Sequence, residues 1–277
     1  MSGPYRGVNR YRTFLKAGRT IAGNISRLEG VIGILGTGSI GRRFADRFSD
    51  LDMTVYAREE AVARLRGLVS IGWISYRGVP YDIEVESYDR ARSARVPSRF
   101  WTQVQRWHHQ NSQILFEREG QLQGLLEEKL VYPDRERAEL LKVYSNEVQE
   151  HLVYFPELWA ERGRLYNVVD ALTRGVHYLL LWIYARNRLF EPYMQKWPFY
   201  HMEAKAVPEY IHLPLLTGIY SGRIRSLSAA VKYRRELLDL CAEIGLEWEM
   251  TSTEEALEKC RRNWGGLSEE SRRLLSW

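Results

Sequence analysis

The sequence predicts an α/β amino-terminal part followed by a mainly α-helical carboxy-terminal part. Before about residue 98, short apolar runs of strand length alternate with glycine-containing turns and with helical stretches. Beyond that point apolar residues recur at helical spacing in successive segments, namely 134–152, 164–190, 226–244, 253–263 and 268–276. With 277 residues, of which 45% are hydrophobic and 27% charged, the chain is long enough to form two folded domains.

Elements of the first part can be predicted in order from residue 5 onward. Apolar positions at helical spacing predict a helix over 5–29, and a continuous β-branched run predicts a buried strand over 31–35. A glycine-rich turn ends this strand, and a short helix is predicted over 40–48. The remaining predictions are a strand over 50–56, a helix over 59–69, and strands over 71–76 and 81–88 joined by a turn at 77–80.

Capping signals support the helices of the second part. Pro133 precedes the first of them, Gly245 follows the third, and Ser252 with Glu255 forms a capping box at the start of the fourth. The change in pattern predicts a first domain over 1–125 and a helical domain over 126–277.

Cysteine usage and hydropathy favour a cytoplasmic protein that does not enter a membrane. Cys241 and Cys260 are the only cysteines, which suits a reducing compartment and excludes a disulfide scaffold and a cysteine-based zinc site. The longest apolar stretch, 177–185, is much shorter than the roughly 20 residues that span a bilayer. The first residues lack the pattern of a signal peptide.

One motif in the first domain combines a turn of small residues with paired acids. Gly38 and Ser39 follow a buried strand, and a helix that starts there points its positive end at any phosphate held by the turn. Ten residues later, Asp50 and Asp52 lie two apart on the next strand, so both carboxylates project from one face. Mg²⁺ binds through a few carboxylates together with substrate phosphates, so the motif predicts a magnesium site.

A third carboxylate on a neighbouring strand would complete such a site. The strand over 81–88 supplies two candidates, of which we expect Glu84 to be the third acid, with Asp82 as the reserve. The alternative interpretation is that Asp50 and Asp52 only cap a strand or a helix.

This order of elements resembles the nucleotidyltransferase superfamily, which has the polymerase-β-like fold. The resemblance spans 31–86 and is carried by an apolar strand, Gly38-Ser39, a spacer, the pair Asp50 and Asp52 within apolar residues, and a later acid. The layout is similar to the antibiotic nucleotidyltransferases of the lincosamide and aminoglycoside types and to their uncharacterised relatives. In those proteins too, a strand-and-turn segment similar to 114–122 closes the catalytic domain and a long helical part follows.

The resemblance implies an α/β (α+β) catalytic domain with a small mixed sheet over 1–125, including the amino-terminal helix, and a helical substrate-binding domain over 126–277. It implies that Asp50, Asp52 and Glu84 are the catalytic acids and hold one or two Mg²⁺ ions. Glu84 would share the second ion or accept the proton of the acceptor hydroxyl.

The same resemblance suggests the residues that bind the nucleotide. Gly38 and Ser39 would contact the triphosphate, Lys196 matches a lysine that reaches it in related helical domains, and Arg42 and Arg43 could neutralise the leaving phosphates. Family members often have glycine where this chain has Arg43, so the pocket could also be altered or inactive.

The implied activity is the Mg²⁺-dependent transfer of a nucleoside monophosphate from a nucleoside triphosphate such as ATP to a hydroxyl of a small-molecule acceptor, with release of pyrophosphate. The acceptor could be an antibiotic, and its pocket could be lined by Trp101, Trp107 and His109. The protein would be a monomer or a homodimer. The alternatives are transfer to RNA, as by a toxin acting on tRNA, transfer to a protein, and an inactive nucleotide-binding module.

The positive charge is concentrated in the first domain. Residues 1–99 contain 17 Lys and Arg against 10 Asp and Glu, whereas the whole chain carries a net charge of +5. Arginine binds phosphate, so this excess suits a nucleotide, or an RNA held by the basic segment 1–27. A general preference for arginine codons is an equally good explanation.

Overall fold

A computed structural model describes residues 8–69, 74–222, 224–246 and 258. The chain divides into two compact units, and the first of them reaches to Pro133 and includes Leu189–Trp197. The second unit contains Asp134–Arg188 and the chain from Pro198 onward. The first unit therefore takes a short segment from the middle of the helical part, and the predicted division at residue 125 falls within a helix of this unit.

A mixed sheet forms the centre of the first unit. Within the described residues its strands are β1 (Val31–Gly36), β2 (Leu51–Ala57), β3 (Ile74–Tyr76), β4 (Val79–Ser87) and β5 (Gln113–Glu117), in the order β3-β4-β2-β1-β5. The pair β2–β4 is parallel, and the other neighbours are antiparallel. The predicted small mixed sheet is therefore confirmed.

Side chains of the sheet alternate between an apolar face and a polar one. The described helices of the first unit are α1 (Tyr11–Ile25), α2 (Gly38–Gly41), α3 (Glu59–Val69), α4 (Tyr88–Ser93), α5 (Gln103–Gln110) and α6 (Gln121–Lys129). Met53, Val55, Ile83 and Val85 face a core built with α1 and α3. Intervening residues of β2 and β4 project from the other face because strand periodicity is two.

The segment Leu189–Trp197 is held on the first unit by stacked side chains. Phe190 is buried and stacks on Tyr132, with ring centroids 5.2 Å apart. The guanidinium of Arg106, which is fully buried, lies 4.6 Å from the centroid of the same ring. The backbone N–H of Glu191 donates to the side-chain oxygen of Gln103 at 3.3 Å. These contacts fix the path of the residues that follow Phe190.

The second unit is helical throughout its described part. Its long helices are α7 (Asp134–Gln149), α8 (Phe155–Glu161), α9 (Leu165–Arg186) and α12 (Leu227–Glu243), with a π-helical turn at Glu150–Tyr154 and short turns α10 (Tyr200–Glu203), Pro208–His212, α11 (Leu213–Leu216) and Thr217–Ser221. No helix in the described ranges is both long and apolar enough to cross a bilayer. The predicted stop at Gly245 is confirmed, since this residue has φ +70° directly after α12.

One predicted helix differs from the structure, and the predictions near the carboxy terminus fall mostly outside its described residues. The helix predicted over 40–48 is wrong, because only Gly38–Gly41 is helical and the chain leaves the helix where Arg43 adopts φ +56°. The capping box of Ser252 with Glu255 and the helices predicted over 253–263 and 268–276 fall almost wholly outside the described residues.

Candidate active site

A cleft of about 640 Å³ opens over the polar face of β2 and β4 in the first unit. Asp50, Asp52, Asp82, Glu84 and Glu86 line it. Further lining comes from Gly38 and Ser39, from Arg42 and Phe44, from His108 and His109, and from Tyr193, Lys196 and Trp197. Most of the side chains predicted for the site therefore meet in one cleft.

Gly38 is required by the close approach of Asp52. Gly38 has φ +49°, and a Cβ added to it would lie 1.7 Å from the Oδ2 atom of Asp52. The N–H of Thr37 also donates to the backbone oxygen of Asp52 at 3.0 Å. Any side chain at position 38 would occupy the space of the Asp52 carboxylate.

Ser39 fixes the backbone of the other paired acid. Its hydroxyl donates to the carbonyl oxygen of Asp50 at 2.6 Å, and the residue is almost fully buried. The hydroxyl is thus engaged with the protein, and the surface that Ser39 offers to a ligand is its backbone. This contact ties the turn after β1 to the residue that precedes β2.

The strand register decides which acid lies opposite Asp52. Asp82 pairs with Asp52 across the parallel strands β2 and β4, whereas Glu84 pairs with Thr54. The Cα of Glu84 is therefore about 6.6 Å further along β4, at roughly 3.3 Å per residue. Both candidates for the third acid line the cleft, and Asp82 is the nearer neighbour of Asp52 in the sheet.

Asp52 lies in a strongly perturbed electrostatic environment. Burial raises its pKa from 3.8 to about 6, and the charges of Asp50 and Asp82 act in the same direction. Arg42 and Lys196 oppose the shift. A buried carboxyl group with a perturbed pKa inside a cleft is typical of functional sites.

Two cations line the same cleft as these acids, Arg42 and Lys196. The Arg42 guanidinium lies 4.5 Å from the ring centroid of Trp197, and Lys196 directly precedes that residue. Burial, together with Arg42 and Lys196, lowers the pKa of His108 to about 4, so His108 is neutral at pH 7. The cations thus converge on the cleft from α2 and from the segment Leu189–Trp197.

Arg43 is not among the residues that line the cleft. It is exposed and borders a separate shallow groove that also contains Ser112 and Gln113. Its carbonyl oxygen accepts a hydrogen bond from the side-chain amide of Asn9 at 3.1 Å. The structure therefore brings Arg42, Lys196 and the acids together and leaves Arg43 outside.

The far end of the cleft contains a hydrogen-bonded chain of neutral groups. The carbonyl of Gln105 can only accept, so Nδ1 of His109 donates to it at 2.6 Å. Nε2 must then accept from the Tyr56 hydroxyl, also at 2.6 Å. Burial lowers the pKa of His109, which agrees with this neutral tautomer.

Glu86 and the aromatic residues complete this end. Burial and the neighbouring Glu84 raise the pKa of Glu86. Trp101 and Trp107 were expected to line an acceptor pocket, but both are fully buried and neither borders the cleft. Glu86 is not among the predicted site residues, although its place two residues after Glu84 on the predicted strand 81–88 puts it on the same face as Asp82 and Glu84.

The carboxylates of the cleft are suited to a divalent cation. Asp50, Asp52 and Asp82 present hard oxygen ligands, and the raised pKa of Asp52 indicates negative charge that a cation would compensate. Among the described residues no three of these acids bring one oxygen each within 4.8 Å of one another. Mg²⁺ needs only one or two carboxylates in addition to substrate phosphates, so this arrangement still fits it.

Glu147, Glu150 and His151 in the second unit do satisfy that distance criterion. Nδ1 of His151, however, donates to the Glu147 carbonyl at 2.9 Å, so this nitrogen carries a proton. The group lies on consecutive turns of a helix, where acidic residues are common without a metal. We assign no site to it.

Substitution of Gly38 tests the close approach to Asp52. Gly38→Ala should lower the free energy of unfolding by about 1–3 kcal/mol, because it strains a left-handed backbone and displaces the carboxylate. Gly67→Ala is the matched control, since nothing lies within 4 Å of its added Cβ and α3 gains about 0.5–1 kcal/mol of helix propensity. Urea denaturation measures both, and equal effects of the two substitutions would contradict the assignment.

Removal of the Asp52 charge should change how stability depends on pH in the metal-free protein. The pKa of Asp52 is raised in the folded protein, so its protonated carboxyl group favours folding below pH 3.8. This contribution to stability is lost as the pH rises through about 6. Asp52→Asn should therefore be more stable than the wild type at pH 8, by up to about 3 kcal/mol, and similar to it at pH 4. Thermal denaturation in EDTA at both values tests this, and parallel pH profiles would refute it.

No protein-family model and no curated protein match this chain. Among solved structures, the chain is similar to a nucleotidyltransferase-like protein from Exiguobacterium sibiricum, at 15% sequence identity and a TM-score of 0.40. The similarity covers 82% of this chain and 75% of that one.

Proposed function

We propose that the protein transfers a nucleoside monophosphate from a nucleoside triphosphate to a hydroxyl of a small-molecule acceptor, with release of pyrophosphate. The observation that carries this proposal is the placement of Asp52. Its carboxyl group shares one cleft with Asp50, Asp82, Arg42 and Lys196, and its pKa is raised to about 6 by burial and by the two acids against the opposing effect of the two cations. A magnesium nucleotide supplies a cation for the acids and phosphates for the two cations, and so satisfies both groups.

Asp52 and Asp82, which lie opposite each other in the sheet, would hold the ion together with substrate phosphates, and Asp50 would add negative charge beside them. When bound, Mg²⁺ neutralises phosphate charge and favours attack at phosphorus. Arg42 and Lys196 bind the β- and γ-phosphates and stabilise the charge on the leaving pyrophosphate. The stack of Arg42 on Trp197 keeps this guanidinium oriented before the nucleotide arrives.

Glu84 is the proposed proton acceptor. It lies beyond Asp82 on the same face of β4 and is exposed to the cleft. As the acceptor oxygen forms its bond to the α-phosphorus, the bond from that phosphorus to the bridging oxygen breaks and Glu84 takes the hydroxyl proton. A general base needs to reach the acceptor and not the leaving group, and Glu84 lies two residues further along β4 than Asp82, which would hold the ion.

A small acceptor suits the far end of the cleft better than a polyanion does. Phe100 offers aromatic surface there, and Glu84 and Glu86 offer carboxylates. Carboxylates repel a phosphate backbone and accept hydrogen bonds from hydroxyl and amine groups. We therefore propose a polyhydroxylated or amine-bearing small molecule as the acceptor.

Transfer of label from α-labelled nucleotides to a panel of small acceptors, RNA and protein tests the reaction. Asp52→Asn should lower transfer at least 100-fold, because it removes a central ligand of the ion. Gly67→Ala serves as the control and should keep full activity. Absence of transfer to every acceptor, together with absence of Mg²⁺-dependent nucleotide binding, would refute the proposal.

Two further substitutions separate the roles of the β4 acids. Asp82→Asn should raise the Mg²⁺ concentration needed for half-maximal transfer at least tenfold, because a ligand is lost. Glu84→Gln should lower kcat by about 100-fold with an unchanged Mg²⁺ dependence, because a base is lost. If Glu84→Gln changed the Mg²⁺ dependence and Asp82→Asn lowered only kcat, Glu84 would be a ligand of the ion and not the base.

Adjacent arginines provide a matched test of the cation assignments. Arg42→Ala and Lys196→Ala should each weaken binding of a non-hydrolysable magnesium nucleotide about tenfold, equivalent to about 1.4 kcal/mol. Arg43→Ala should change it less than twofold, because Arg43 does not line the cleft. Isothermal titration calorimetry measures all three, and equal losses for Arg42→Ala and Arg43→Ala would contradict the assignment.

A further inference from the structure

The exposed face of α1 carries uncompensated positive charge. Arg12, Lys16 and Arg19 follow one another at spacings of four and three residues, so they share a face of the helix. All three are exposed and, with Leu15 and Thr20, line a shallow groove. Within the described part of the chain no ion pair joins any of them to a carboxylate. No acidic residue occurs before Glu29.

A second group of cations lies next to the start of this helix. The N–H of Arg10 donates to the carbonyl of Ala45 at 2.7 Å, so α1 begins beside the segment that leads to Asp50. Arg47 in that segment is exposed, and its guanidinium lies 4.4 Å from the ring centroid of Phe48. Phe48 is 78% exposed, which is unusual for a phenylalanine, and it also borders the cleft.

We propose that α1 and the segment 43–48 bind single-stranded nucleic acid, a function separate from nucleotidyl transfer. Cations spread over about 10 Å of one helix face can contact successive phosphates of one strand, whereas a free phosphate ion would occupy only one of them. An exposed aromatic ring beside a basic groove provides a platform on which a base stacks.

The composition of α1 favours a nucleic acid over an anionic membrane. A helix that binds a membrane surface inserts apolar side chains into the lipid. In α1 those side chains, Phe14, Ile21 and Ile25, are buried in the core of the first unit. The exposed face offers cations together with Thr13, Thr20 and Asn24, which are groups that bind phosphate and sugar oxygens.

Fluorescence anisotropy with a labelled single-stranded RNA oligonucleotide tests this proposal on the full-length protein. Three phosphate contacts predict a slope of log K against log salt near −2, so raising salt from 50 to 200 mM should weaken binding about 20-fold. Arg12→Glu with Lys16→Glu and Arg19→Glu should abolish binding. The milder triple substitution to Gln should weaken it at least tenfold and flatten the salt slope.

Controls separate this surface from general charge and from the cleft. Arg92→Glu with Arg95→Glu and Lys142→Glu changes the net charge equally at exposed positions elsewhere and should bind as the wild type does. Asp52→Asn should also bind normally while losing transfer, so failure of one proposal is distinguishable from failure of the other. Unchanged binding by the α1 variants, equal loss in the charge control, or binding to phosphatidylserine vesicles in place of the oligonucleotide would overturn the inference.

Discussion

The contact between the Asp52 carboxylate and Gly38 constrains the rest of the first unit. Because Gly38 has no Cβ, the chain can turn after β1 with its backbone against the side chain of β2. The turn then places the Ser39 hydroxyl on the Asp50 carbonyl and starts the short helix from which Arg42 extends. One close approach between two neighbouring strands thus sets the positions of both paired acids and of the first cation.

Burial of the ionised Asp52 carboxylate lowers the stability of the folded protein, and cations from other parts of the chain offset part of this cost. Asp50 and Asp82 oppose its ionisation, and Arg42 and Lys196 favour it. Lys196 comes from a segment more than 140 residues further along the chain, which reaches the first unit because Phe190 packs against Tyr132 and the buried Arg106. The neighbouring cations offset only part of the electrostatic cost of ionising Asp52. A remaining imbalance of charge is typical of a site that binds a charged ligand.

The parts of the fold that the sequence predicts are those with a local cause. The strands β1 and β2, the glycine turn and the acids on one face follow from periodicity and from the spacing of Gly38, Asp50 and Asp52. The prediction of a helix over 40–48 is wrong because Arg43 adopts a left-handed conformation, which its residue type does not predict. Neither the stacking of Trp197 on Arg42 nor the burial of Trp101 has a local signal, since both depend on contacts between segments far apart in the chain.

The arginine excess of the first 99 residues does not describe the cleft. Among the described residues six acids border the cleft, namely Asp46, Asp50, Asp52, Asp82, Glu84 and Glu86. The cations that border it are Arg42 and Lys196, since His108 is neutral at pH 7. The other described cations of the first 99 residues, among them those of α1 and Arg43 and Arg47, do not line the cleft. An acidic cleft repels a free triphosphate and attracts a divalent cation, so under the proposed function the nucleotide would enter as its magnesium complex. The two opposite charge distributions of this unit therefore fit the two different ligands proposed above, one for the cleft and one for the exposed face of α1.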